Sequence, residues 1–299
     1  MQKPPNWSRL GLGTGTLASL GRSASLLEVD CLLGSMLEVG VTVIDTADSY
    51  GSGACERLLG RALKGRREFF SIATKTGYRF SDLPVPLRPL NQLFKKGLHR
   101  LGFRQQFAPA YLKKSAEGSL KRLGLDRLDA FLLHSPPLEV VASDEVAMLC
   151  ESLISSGKAG MCGLSSENPA VIQAAISTGA YGVIQTPVSL RFTATMQPLW
   201  KECEARGIKI IGNHVFDPVC LAAPGMTHET LMTAVSALLP DSATILCGTR
   251  NPSHLRQANQ WARNPMDAIK AGSLAACAAP SELAREPSIS SQKYDRRRP

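Results

Sequence analysis

Several things are missing from this sequence, and each absence removes a class of function. No stretch approaches the roughly 18 uninterrupted apolar residues of a membrane-spanning helix. The opening segment MQKPPNWSRLGLGTG has no apolar run suited to a signal peptide, so a cytoplasmic protein with no membrane partner is expected. Eight cysteines are scattered at positions 31, 55, 150, 162, 203, 220, 247 and 277, with no Cys-x-x-Cys pair among them. Neither a zinc site nor a dithiol redox motif is therefore expected, and the thiols read as buried and reduced. No His-x-His or clustered carboxylate set stands at a strand end, which leaves metal-dependent hydrolysis without support.

Charge is also unevenly supplied. The net charge is +9, with 20% charged and 44% hydrophobic residues over 299 positions. Part of the excess sits at one end, where Gln292–Pro299 carries four basic residues against one acid. Ser281–Ser291 before it is polar and aperiodic, so 281–299 reads as a mobile basic tail and 1–280 as a single domain. No aromatic residues interleave a basic patch, so no nucleic-acid partner is expected.

What is present is an alternation. Short apolar runs occur at Leu10–Gly13, Val41–Ile44, Phe69–Ala73, Leu128–Leu133, Gly160–Leu164, Gly182–Gln185, Ile208–Ile211 and Ala243–Cys247. Helical periodicity follows each, at Leu26–Val39, Ala54–Leu63, Tyr111–Leu123, Glu145–Ile154, Ala170–Ile176, Met196–Glu204, Glu229–Leu238 and Ser253–Ala262. Eight such units predict an α/β fold, a (β/α)8 TIM barrel, although an open doubly wound sheet shares the pattern. Asn168-Pro169 and Asn251-Pro252 pair a capping side chain with a first-turn proline, and Thr193 and Thr227 are further capping candidates. Gly157, Gly179 and Gly207 suit helix ends that need a left-handed residue. Between the third strand and its helix lies a long loop, 76–110, with a helical stretch expected around Leu90–Leu101 and Phe80 and Phe94 read as packing residues.

The chemistry-bearing residues fall at predicted strand tips. Val43-Ile44-Asp45 ends the second strand in an acid, with Tyr50 in the loop above it. Ile72-Ala73-Thr74-Lys75 ends the third in a lysine, whose buried charge would need a partner such as Asp45. Leu132-Leu133-His134 ends the fourth in a histidine. A phenol beside an ammonium is a proton donor whose pKa the cation should lower from about 10. An imidazole beside it could orient a carbonyl oxygen, so the four together suit carbonyl reduction.

These residues, and the chain from Leu10-Gly11-Leu12-Gly13-Thr14-Gly15 to the last barrel helix, resemble the aldo-keto reductase family. The resemblance implies a catalytic tetrad of Asp45, Tyr50, Lys75 and His134, and an NAD(P)H-dependent reduction of an aldehyde or ketone. It also implies cofactor contacts from Gly13, Thr14, Gly15 and Asp45. Gly163-Leu164-Ser165-Ser166 is similar to the turn that holds the carboxamide, with Ser166 in place of an asparagine. Gln185 matches the family glutamine, and Asn213 falls where many members stack a tyrosine on the nicotinamide. Cys247-Gly248-Thr249-Arg250-Asn251-Pro252-Ser253-His254 resembles the segment that grips a 2′-phosphate and adenosine. Gly248, Thr249, Arg250 and His254 would serve there; Thr249 and Arg250 favour NADP(H), while His254, where other members often have an arginine, leaves NAD(H) possible.

Two rivals remain. Gly13-x-Gly15-x-x-Ala18 fits a loose dinucleotide fingerprint, but no helix opens directly after it, and no Tyr-x-x-x-Lys of a short-chain dehydrogenase occurs. A reductase-like barrel serving as a cofactor-binding sensor or accessory protein with little turnover is the alternative from another class. The substrate is expected to be a small carbonyl compound and the protein a monomer or small homo-oligomer. His99, His228 and Glu56 read as structural or surface residues.

Overall fold

The computed structural model describes residues 7–19, 22–80 and 105–278. The predicted helix around Leu90–Leu101, Phe94, His99 and the tail 281–299 lie outside them. Eight parallel strands close into a barrel: β1 (Leu10–Gly13), β2 (Val43–Asp45), β3 (Ser71–Thr76), β4 (Leu128–His134), β5 (Ala159–Ser165), β6 (Val183–Pro187), β7 (Lys209–Asn213) and β8 (Thr244–Cys247). Each pairs with the next, and the ring closes where Leu10 of β1 lies opposite Ile245 of β8. The eight-unit alternation thus makes a closed barrel and not an open sheet.

Helices α1 (Leu26–Glu38), α2 (Ala54–Ala62), α3 (Pro109–Leu123), α4 (Asp144–Ser155), α5 (Pro169–Thr178), α6 (Thr193–Ala205), α7 (His228–Leu238) and α8 (Pro252–Arg263) cover the outside, one after each strand. A further helix, α9 (Ala268–Ala278), was not evident from periodicity; its alanine-rich face buries only Ala271 and Ala275. Asn168 and Asn251 cap their helices by accepting from Ala170 N and Ser253 N, each at 2.9 Å. Thr227 caps α7 by accepting from Thr230 N at 3.0 Å. Thr193 does not cap α6: it is already the first helical residue, with Phe192 in the capping position. Gly157, Gly179 and Gly207 have φ of 74°, 69° and 68°, the left-handed conformation that lets each chain leave its helix without a Cβ clash.

Strand side chains alternate between two cores. The large outer cluster lies between strands and helices and includes Ile72, Phe131, Leu133, Leu164, Ile184, Ile210 and Ile245. A small separate cluster joins Ala73, Ala130, Leu132, Val183, Ile211 and Leu246, with Met161 and Trp7 packed against it. These residues belong to the inward face and fill the barrel, as a packed lumen requires. Among the described residues no helix is long and apolar enough to cross a membrane. The eight cysteines are unbridged, but Cys31 and Cys277 are exposed, because both lie on outer surfaces of helices covering the barrel.

Candidate active site

Period-two counting from the lumen cluster locates the site. Lys75 is two residues beyond Ala73, His134 two beyond Leu132, Gln185 two beyond Val183, and Asn213 two beyond Ile211. Each therefore stands on the inward face, one rung above the apolar plug, at the carboxyl end of its strand. Apolar side chains close the lumen below, and polar ones crown it. Three non-glycine residues among those described have positive φ: Ser52 (54°), Ser135 (53°) and His214 (57°). All three lie on this rim, beside Tyr50, His134 and Asn213, and such backbone strain is concentrated where side chains are held for function.

The centre of the crown is an ion pair. Lys75 Nζ donates to both Asp45 oxygens at 2.7 Å and to the Thr46 carbonyl at 2.9 Å. Lys75 is 2% exposed and Asp45 3%. Gln185 Nε2 donates to Asp45 Oδ1 at 2.9 Å from across the barrel. Burial works against the Lys75 charge, but Asp45 and Tyr50 outweigh it and carry its pKa above the ordinary lysine value. Burial likewise pushes the Asp45 carboxyl up, opposed by Lys75 and Gln185. Charge-assisted bonds on both carboxylate oxygens keep the pair ionised.

Tyr50 hangs over this pair. Its ring centroid is 5.2 Å from Lys75 Nζ. The phenol's pKa does not fall below its ordinary value, as a cation alone would make it do. Burial pushes it up and outweighs the opposing pull of Lys75. Tyr50 is consequently neutral and carries its proton near neutral pH. Gly15 lies against the tyrosine: a Cβ there would be 3.6 Å from the ring. The His134 ring lies edge-on to Tyr50 at 6.3 Å and to Tyr78 at 4.7 Å. Gln105 Nε2 steadies that corner by donating to the carbonyls of His134 at 3.1 Å and Ser135 at 3.0 Å.

The structure therefore brings Asp45, Tyr50, Lys75 and His134 together, with Gln185 bound to the aspartate. Thr14 joins them by donating its N–H at 3.0 Å and its hydroxyl at 2.9 Å to the Asp45 carbonyl. Several residues expected to contact a dinucleotide lie at the ends of the same strands. Gly13 faces Gly248, where a Cβ on it would be in ordinary van der Waals contact at 3.7 Å. Ser165 and Ser166 are buried at the end of β5, and the Ser166 hydroxyl accepts from Asn168 N at 3.1 Å. Asn213 Oδ1 is buried with no hydrogen-bond partner among the described residues. An orphaned buried acceptor costs about 1–3 kcal/mol, and the amide group of a nicotinamide is the kind of donor that would satisfy it. The residues present thus fit such a cofactor.

Beyond β8, Thr249 Oγ1 accepts from Asn251 N at 3.0 Å and fixes the turn into α8. Arg250 is engaged by Glu28 at the start of α1, Nη2 to Oε1 at 2.7 Å. His254 is exposed in the first turn of α8. Sequence reasoning missed Gln185 as a partner of Asp45, Gln105 as the brace of His134 and Glu28 as the partner of Arg250. The first was readable from period-two placement; the other two are contacts made across distant segments. Glu56, read as structural or surface, is fully buried, accepting from Thr74 Oγ1 and from Arg122 Nε at 2.6 Å each.

The comparisons agree with this architecture. Residues 9–218 match the sequence profile of the aldo/keto reductase family. The aldo-keto reductase YhdN of Bacillus subtilis is 29% identical over 187 residues, covering 61% of this chain and 50% of that protein. The NADH-specific methylglyoxal reductase of Escherichia coli K12 is 29% identical over 222 residues, covering 71% of this chain and 64% of that one. A Pseudomonas aeruginosa protein described as an aldo-keto reductase superposes with a TM-score of 0.67 at 26% identity, covering 89% of this chain and 91% of the other. The matches span about half to two thirds of these curated relatives' own length. The chain belongs to the aldo/keto reductase family.

Proposed function

We propose that the protein reduces an aldehyde or ketone to the alcohol, reversibly, with a nicotinamide dinucleotide, and that Tyr50 is its proton donor. One observation carries the reading: a buried lysine, doubly bonded to an aspartate, lies 5.2 Å from the ring centroid of a tyrosine that has a histidine edge-on to it at the mouth of the barrel. When bound, the cofactor supplies the hydride. Tyr50, half-buried and kept neutral by desolvation, holds a proton to give to the forming alkoxide. The Lys75 charge stabilises the phenolate left behind, and Asp45 holds that charge in place. His134 orients the carbonyl oxygen and adds a second donor.

Ser165, Ser166 and Asn213 would hold the nicotinamide end, and Gly248, Thr249 and Arg250 the adenosine end. Arg250 favours NADP(H); NAD(H) is the second possibility, and the Escherichia coli relative is NADH-specific. The substrate in this reading is a small carbonyl compound in the cytoplasm. Residues 1–280 act as one barrel unit, as a monomer or small homo-oligomer.

Tyr50→Phe tests the assignment. Reductive turnover of a reactive aldehyde should fall by about 10²–10⁴, the usual worth of a positioned general acid, while dinucleotide binding by fluorescence persists. Undiminished turnover would show that the proton comes from elsewhere.

A further inference from the structure

Arg250 would meet a 2′-phosphate, yet an anion of the protein already holds it. Glu28 is the third residue of α1, in a capping box with Ser25: Ser25 N donates to Glu28 Oε2 at 2.7 Å, and Glu28 N donates to Ser25 Oγ at 3.2 Å. The other carboxylate oxygen, Oε1, accepts from Arg250 Nη2 at 2.7 Å. The capping box fixes the direction of the carboxylate, which then faces the guanidinium across the junction of β1 and β8. The Ser25 backbone N–H, followed by Arg250, holds the Glu28 carboxyl down to about 2, so it is charged throughout the working range.

We propose that Glu28 is a cofactor-specificity residue that lowers the preference for NADP(H) over NAD(H). This rests on the reading of Arg250 as the phosphate-facing residue. A 2′-phosphate approaching Arg250 must compete with the Glu28 carboxylate for Nη2 and lie beside its negative charge. A ribose 2′-hydroxyl carries no charge to be repelled and can donate to a carboxylate. The ion pair is partly exposed, with side-chain exposures of 28% and 46%, so it is weak enough to be displaced. The repulsion that remains is electrostatic and must shrink with salt.

Glu28→Gln tests this cleanly, because glutamine keeps the capping box and removes only the charge. Dissociation constants for NADPH and NADH are measured by fluorescence quenching on the full chain, for wild type, Glu28→Gln and Arg250→Met. The ratio Kd(NADH)/Kd(NADPH) should shift by about tenfold toward NADPH in Glu28→Gln at about 20 mM salt, and by much less at about 300 mM. A thermal midpoint equal to wild type would show that the helix start is intact. A ratio within twofold of wild type at low salt overturns the role of Glu28, provided that Arg250→Met lowers the same ratio. If Arg250→Met leaves the ratio alone, the phosphate reading of Arg250 fails and takes this inference with it. If neither dinucleotide binds the wild type, the nicotinamide reading itself fails.

Discussion

Removing the lysine at the centre of the crown is a demanding test of the site's electrostatics. At 2.7 Å, with an effective dielectric of about 20, the Asp45–Lys75 attraction is about 6 kcal/mol. Desolvating two ions costs several kcal/mol each, so the intact pair adds little net stability. Lys75→Met is different, because it leaves the aspartate buried with no cation, and such a loss costs about 3–5 kcal/mol. The Asp45 carboxyl, already pushed up by burial, then rises further. A carboxyl whose folded pKa exceeds its unfolded one contributes stability below the unfolded value and loses it as pH rises through the folded one. The variant should therefore be nearest wild type at about pH 4 and weakest at about pH 8. Asp45→Asn combined with Lys75→Met removes both charges and should recover most of the loss. Urea unfolding of the three proteins at the two pH values reads the cycle directly. If Lys75→Met costs under about 1 kcal/mol at the higher pH, or the double variant is as unstable as the single one, then no buried ion pair exists there.

Two further perturbations test the frame around the site. Burial pushes Asp48 up to about 7; the Ser115 hydroxyl opposes that shift, and the Glu56 charge adds to it. Wild-type stability should thus fall as pH rises from about 4 through about 7, and Asp48→Asn should flatten that slope and gain up to about 4 kcal/mol at about pH 8 in urea unfolding; an unchanged slope would refute the assignment. Gly163 on β5 has no room for a methyl group, since a Cβ there would be 1.8 Å from the Val183 carbonyl oxygen of β6. Gly163→Ala should cost about 3 kcal/mol or more by forcing two paired strands apart, and a melting temperature equal to wild type would show that the strands can move freely.

The eight-unit barrel was legible because parallel strands buried on both faces read as continuous apolar runs, and the intervening helices as 3.6-residue periods. Several strands lie further along the chain than the apolar runs. Val41 and Phe69 read as strand residues because they are apolar, yet the ladders start at Val43 and Ser71. At the other end the apolar runs stop early, while the ladders continue through Lys75-Thr76, His134, Ser165, Pro187 and Asn213. Backbone hydrogen bonds are indifferent to the side chain's polarity, and Lys75, His134, Ser165 and Asn213 among these rungs form the crown. Spacing on adjacent strands could bring Asp45 to Lys75. It could not reveal Glu28 beside Arg250, which are 222 positions apart and meet only because β1 and β8 close the ring.

Strand β3 shows how the two faces of one strand can serve a single site. Lys75 points inward to Asp45 and Tyr50, while its neighbours Thr74 and Thr76 point outward into the helix layer. Thr74 Oγ1 donates to Glu56 of α2, which also accepts from Arg122 of α3. Thr76 Oγ1 donates to Ser115 of α3 at 2.6 Å, and Ser115 donates to Asp48 at 2.6 Å. Asp48 and Tyr50 lie in the same short turn between β2 and α2, and the Asp48 N–H donates to the Lys75 carbonyl at 3.0 Å. The turn that presents the phenol is thus tied to β3 by backbone and to α3 by side chain, while its following helix is tied to both. Buried hydrogen-bonded links are directional in a way that apolar packing is not. Such links explain why a loop, ordinarily the mobile part of a barrel, can hold a proton donor in register with a lysine that belongs to the strand beneath it.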